Sequence, residues 1–267
     1  MKLNIKKIIF KSFLMMLPAW VFADNAEALK NAVIEKNTLV VERFIQQGLN
    51  PNIAYENGNT PLHLAAFEDS LPVINVLLKA AGVDIDRKNA HGETPLMIAA
   101  LKGNKQMVDI FLARGAQINK PGWTALHYAC STGQDIIVAE LLDKFAYIDA
   151  ESPNKTTPLM MAARAGHLST VTLLLKEGAD PKLKNEQNLS AIDLAKKYNH
   201  QPVLSMLQSA LNSQELPKSK DAVAANPPST KPSGSQRPMR SQSKVESMTV
   251  PAAPTGEKLL IDKPWLR

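Results

Sequence analysis

The sequence predicts an all-α solenoid of about six helix-turn-helix units, followed by a disordered C-terminal tail. Three observations carry this reading. A short phrase recurs five times at a spacing near 33 residues, each copy is followed by a second apolar segment, and the composition changes after about residue 212. Self-similarity at a fixed period marks a repeat array in which each unit covers the apolar face of its neighbour.

Taken in order, the chain opens with "MKLNIKKIIFKSFLMMLPAWVFADNA". Lysines precede a short apolar run, and Val21-Phe22-Ala23 supplies a small-x-small cleavage site. This is the pattern of a secretory signal peptide over residues 1–23, with cleavage after Ala23. The apolar run after Lys11 is about ten residues, half of what a bilayer span needs. Such a segment suits export to a bacterial periplasm, with no membrane span left after cleavage. One cysteine cannot close an internal disulfide, so the fold stands without one.

The repeat domain occupies residues 24–212. An opening unit, 25–52, has the two-helix rhythm without the recurring phrase. The phrase then appears as "TPLHLAA" at 60, "TPLMIAA" at 94, "TALHYAC" at 124, "TPLMMAA" at 157 and "SAIDLAK" at 190, in repeats starting near 56, 90, 120, 153 and 186. Thr60, Thr94, Thr124 and Thr157 are N-cap residues. Pro61, Pro95 and Pro158 follow at the first helical position, where a missing N–H costs nothing. Leucine and paired alanines give one apolar face on which helices approach closely. Gly48, Gly82, Gly115 and Gly178 close the second helices, where a left-handed residue is wanted. The first and last units carry more polar residues, as solenoid caps do.

Five copies of this phrase in register, covering about 70% of the chain, resemble the ankyrin-repeat family. That resemblance implies antiparallel helix pairs, hairpin-like loops and a concave face. It also implies that the TPLH histidine bonds to the adjoining loop backbone, and that binding residues lie where repeats differ.

Residues 213–267 are rich in Pro, Ser, Lys and Ala without apolar periodicity, which reads as disorder. They end in "LLIDKPWLR", so 259–266 form a short apolar end holding Trp265. The formal charge of +6 comes from the two ends: residues 24–212 hold 18 basic and 20 acidic residues. A near-neutral body gives no basic stripe for nucleic acid.

His127 and the single Cys130 stand three residues apart, the spacing of one helix face. Both occupy repeat positions: His127 aligns with His63, and Cys130 with Ala66, Ala100 and Ala163. A small residue at a packing position is inert. The other histidines are scattered, and no HExxH, GxSxG or P-loop pattern is present. No catalytic residue, cofactor or metal is expected, and the chain is read as non-enzymatic.

Recognition remains. Trp123 directly precedes Thr124, beside a loop about three residues shorter than its counterparts, which should leave a step in the row of tips. His91 sits on a tip, and Glu93 shares the Trp123 column. Phe67 aligns with Leu101, Ser131 and Arg164 in a column that the family implies faces the concavity. Phe145 stands where glycine closes the other second helices; it either turns left-handed, extends its helix or packs on Tyr147. The expected partner is a protein held on the concave face and tips by a monomeric chain. Two alternatives are a protective, immunity-type binder that shields an enzyme, and a scaffold tethered to an envelope complex through the tail.

Overall fold

The computed structural model describes residues 19–212. The residues before these, with most of the expected signal segment, and the tail 213–267, with its apolar end and Trp265, lie outside the described residues. Among the described residues twelve α-helices form six antiparallel pairs. They are α1 (Ala19–Ile34) with α2 (Thr38–Gln46), α3 (Pro61–Phe67) with α4 (Leu71–Leu77), α5 (Pro95–Lys102) with α6 (Lys105–Ala113), α7 (Ala125–Thr132) with α8 (Asp135–Asp143), α9 (Pro158–Ala165) with α10 (Leu168–Lys176), and α11 (Ala191–Lys197) with α12 (Gln201–Asn212). Helix α1 runs across the bond where cleavage is expected.

The first helices of each pair stack in one continuous layer, α1 to α11, and the second helices form a looser layer behind them. Small residues permit this. Ala65, Ala66, Ala99, Ala100, Ala129, Cys130, Ala162 and Ala163 are all fully buried. Closer packing on the first-helix side makes that side the inner one. Both helices of a pair contribute large core groups: Leu62, Leu96, Ile98, Leu126 and Leu159 from the first helices, and Ile74, Leu77, Phe111, Ile137 and Leu141 from the second.

Helix starts follow the sequence. Thr94 and Thr157 accept the third-residue N–H through Oγ1. At Thr60 and Thr124 the histidine three residues on completes the cap instead. His63 Nδ1 accepts from the Thr60 N–H at 3.2 Å, and His127 Nδ1 from the Thr124 N–H at the same distance. Their Nε2 atoms then donate across to the next loop, to the carbonyls of Glu93 at 3.0 Å and Thr156 at 2.9 Å. Met97 and Met160 replace these histidines with a sulfur facing the cap N–H, at 3.4 and 3.5 Å.

The expected β-hairpins are corrected in form. No strand occurs among the described residues. Each full-length finger is instead a turn closed by two backbone bonds. Tyr55, Asn89, Ser152 and Asn185 each donate to the carbonyl four residues on, at 2.9–3.1 Å, and accept from the N–H three residues on, at 2.8–3.0 Å. Two bonds are too few to propagate a ladder.

Phe145 turns left-handed, with φ 63°, in the row of Gly48, Gly82, Gly115 and Gly178. At those four glycines an added Cβ would meet nothing within 4 Å. The row therefore tolerates a side chain sterically and charges only for backbone strain, about 1–2 kcal/mol. Asn119 Nδ2 holds the Phe145 carbonyl at 2.7 Å, and the ring is 75% exposed. Phe145→Gly is expected to raise stability by about 1 kcal/mol, read as a higher urea midpoint. A lower midpoint would mean that the ring packs usefully.

Candidate partner-binding surface

The fingers and the first-helix layer build the surface. At the finger bases, a polar side chain in each loop reaches the next loop about 30 residues on. Asn52 Oδ1 accepts from the Asp84 N–H at 2.7 Å, Asp86 from Gln117 at 3.1 Å, Asn119 from Tyr147 at 2.8 Å, and Asp149 from Asp180 at 3.1 Å. Burial holds the Asp149 carboxyl above its usual range. This ladder fixes the register of the loops. From base residue to N-cap, the fourth unit counts five residues, Asn119 to Thr124, where Asn52 to Thr60 and Asp86 to Thr94 count eight.

The shortened finger breaks the row of tips. Ala90 N–H donates to the Asn57 carbonyl at 2.8 Å, joining the second and third tips, and Glu186 N–H to the Asn154 carbonyl at 3.0 Å, joining the fifth and sixth. Among the described residues no backbone–backbone bond joins the finger at 120–123 to the tips on either side. Lys120 pins it from below, with Nζ 3.0 Å from the Asp86 carbonyl and 3.5 Å from its carboxylate. Trp123 stands half-buried beside this step. Its ring meets His127 edge-on, with centroids 5.3 Å apart at 77°. The aromatic is thus held against a buried imidazole at the open edge.

The other expected contact residues separate into two groups. His91 is half-buried at its tip, Phe67 and Arg164 are half-buried on the inner layer, and Phe145 is exposed at the far end of α8. Two are corrected. Leu101 is buried in the stack, and Glu93 is 1% exposed. Glu93 faces inward because its neighbours satisfy it: Asn89 Nδ2 donates at 2.9 Å, the Tyr128 hydroxyl at 3.0 Å, and its own N–H reaches Asn89 Oδ1. It braces the third finger against α7. Burial, and then the Glu93 charge, push the Tyr128 hydroxyl pKa up.

Sequence reasoning did not find a second ladder at the turns between paired helices. Gln134, His167 and His200 each lie over the left-handed glycine one repeat before, Gly103, Gly133 and Gly166. His167 Nε2 lies 3.2 Å from the Ser131 carbonyl, and His200 Nε2 lies 3.0 Å from that of Arg164. A carbonyl can only accept, so both nitrogens carry the proton. Nor did it find that Arg164 Cζ lies 5.3 Å from the Tyr198 ring centroid, with Lys197 Nζ 5.7 Å away. The recurring pairing of a helix-end residue with its neighbour one repeat on was the available signal.

Nothing in this arrangement activates a nucleophile. Cys130 is fully buried, and burial, assisted by the Asp135 charge, pushes its thiol well up. His127 is driven down to about 4 by burial, against the raising effect of its bond to Thr156. Among the described residues no three His, Cys, Asp or Glu side chains converge as metal ligands, and no helix is long and apolar enough to cross a membrane.

Comparison with known proteins agrees with the geometry. Models described as ankyrin repeats match residues 71–152 in one form and residues 45–96 and 141–195 in another. The chain is 32% identical over 170 residues to the nuclear factor NF-kappa-B p105 subunit of Gallus gallus, covering 61% of this chain and 17% of that protein. It is 30% identical over 175 residues to the ankyrin repeat and KH domain-containing protein mask-1 of Caenorhabditis elegans, covering 63% and 6%. It is 25% identical over 283 residues to the ankyrin repeat protein nuc-2 of Neurospora crassa, covering 92% and 26%. The match thus spans about a quarter or less of each relative's length. With five phrases in register, six stacked helix pairs and these matches, the chain belongs to the ankyrin-repeat family, whose repeats are generally non-enzymatic protein-interaction modules.

Proposed function

We propose that this protein works in the periplasm as a monomeric, non-enzymatic binder of one protein partner, gripped along the inner layer and at the step in the tips. The observation that carries the reading is the broken tip row at the fourth unit, with Trp123 beside it. A regular row offers a smooth edge. The three-residue deletion opens that edge without disturbing the base ladder, and Phe67 lies on the inner layer two repeats away. Half-buried aromatics of this kind are typical anchors.

The N-terminal sequence supports export. Cleavage after Ala23 would leave residues 24–34 of α1, and these still supply Leu29, Ala32 and Val33 to the core. The trimmed cap keeps its packing face.

The test has two arms. Fractionation of cells making the tagged full-length chain is expected to place it in the periplasm, shortened by 23 residues. Capture from periplasmic extract is expected to retain one protein stoichiometrically, with at least a tenfold weaker affinity for a Trp123→Ala, Phe67→Ala double variant that unfolds at the same urea concentration. Cytoplasmic recovery of an uncleaved chain would overturn the location. Equal retention by the double variant would overturn the surface.

A further inference from the structure

One end of the inner layer is built for a negative ligand. The Phe67 column runs Phe67, Leu101, Ser131, Arg164 and Lys197, from apolar to cationic. The charge of the body is divided the same way. Residues 24–100 carry ten acidic and six basic residues, a net −4, and residues 151–212 carry five and seven, a net +2.

At the cationic end, three side chains from two repeats converge. Tyr198, 36% exposed, presents its ring to the Arg164 guanidinium from α9 and to the Lys197 ammonium beside it. The other units carry Glu68, Lys102, Thr132 and Ala165 in the Tyr198 column, so the aromatic is particular to this place. Arg164 makes no ion pair among the described residues. The nearest acid on α11, Asp193, is spent locally, since its Oδ2 accepts from the Ser190 N–H at 2.8 Å and its hydroxyl at 2.6 Å. The backbone is braced too: His200 Nε2 donates to the Arg164 carbonyl at 3.0 Å.

An arginine held over an aromatic ring is oriented by it, and its in-plane N–H donors still suit the fork of a carboxylate. A guanidinium seated over a ring has also lost side-chain freedom beforehand, which lowers the cost of pairing. We propose that Arg164, Tyr198 and Lys197 form the anchor for an acidic segment of the protein partner, with glutamate or aspartate carboxylates seated on Arg164. This rests on the interaction reading above and adds the chemistry and polarity of the bound segment. Its acidic part lies over the ninth and eleventh helices, and its apolar part points toward Phe67, three repeats and about 30 Å away at about 10 Å per stacked pair.

The experiment titrates a dye-labelled peptide of four Glu-Gly units, and its Lys-Gly counterpart, into the full-length chain by fluorescence polarisation. The acidic peptide is expected to bind at least tenfold more tightly, and to weaken steeply with added salt. Arg164→Gln and Tyr198→Leu are each expected to cost tenfold or more, and Lys144→Gln nothing. Arg164→Lys keeps the charge and removes the fork, so it should recover only part of the loss and serves if Arg164→Gln fails to fold. Equal binding of the two peptides, or an Arg164→Gln variant that binds as before, overturns the proposal. So does displacement by inorganic phosphate where acetate at the same ionic strength displaces nothing, because the site would then select phosphate. If the peptides fail here while the Trp123, Phe67 variant still loses the captured protein, the interaction reading stands and only this anchor falls.

Discussion

Lowering the pH from 7 to 4 is expected to remove about 3 kcal/mol of stability through His127 alone. The unfolded imidazole titrates near 6.5, and the folded one near 4, because burial disfavours its charged form. The folded state therefore favours the neutral ring. Its contribution is complete above pH 6.5 and is lost as pH falls toward the folded value. His63 is lowered from the same cause, burial, and adds in the same direction. The protein itself supplies the control variant. Met97 and Met160 occupy the same repeat position, each with a sulfur on the cap N–H. His127→Met should lose roughly 1–2 kcal/mol at pH 7, since the Thr156 carbonyl loses its donor. It should also lose much of the slope between pH 6.5 and 4. Urea midpoints of the two proteins at pH 7 and pH 4.5 test this, and parallel slopes would sink the assignment.

Gly166→Ala is expected to cost about 2–4 kcal/mol, from left-handed strain and a broken contact together. Gly166 has φ 80°, and a Cβ there would lie 2.6 Å from His200 Nδ1. The imidazole would have to swing away and release the Arg164 carbonyl. Gly115→Ala separates the two costs. Its φ is 83°, but its Cβ would meet nothing within 4 Å, so it carries strain alone. The difference between the two unfolding free energies measures the histidine contact, and equal losses would show that this contact contributes nothing.

The fold was legible because its causes are local. A threonine cap, a proline at the first turn and paired alanines act within one helix, and five repetitions turn weak signals into a strong one. The shortened fourth finger was legible for the same reason, since a deletion shows against a fixed period. What the sequence hid were contacts one repeat apart, whose partners lie 30 to 36 residues away. Glu93 looks like a tip residue until Tyr128, on the next repeat, is seen to hold it. Leu101 shares a column with half-buried Phe67 and Arg164, yet the stack closes over it. His167 and His200 look like isolated polar residues until each is found on the preceding glycine. For Phe145, left-handed turn, helix extension and packing on Tyr147 all stood open; the backbone dihedral selects the turn over the extension, and the exposure of the residue speaks against packing.

The separation of finger base from finger tip has a bearing on how this scaffold tolerates change. Base residues such as Asn119 set the spacing of the stack, and tip bonds only join fingers to one another. The fourth loop has already lost three residues with its base contacts intact. Loop length and stack register are thus independent variables here. In engineering terms the fourth finger is a vacant socket: a graft between Asn119 and Thr124 would reach new ground without asking the other loops and turns of the array to move.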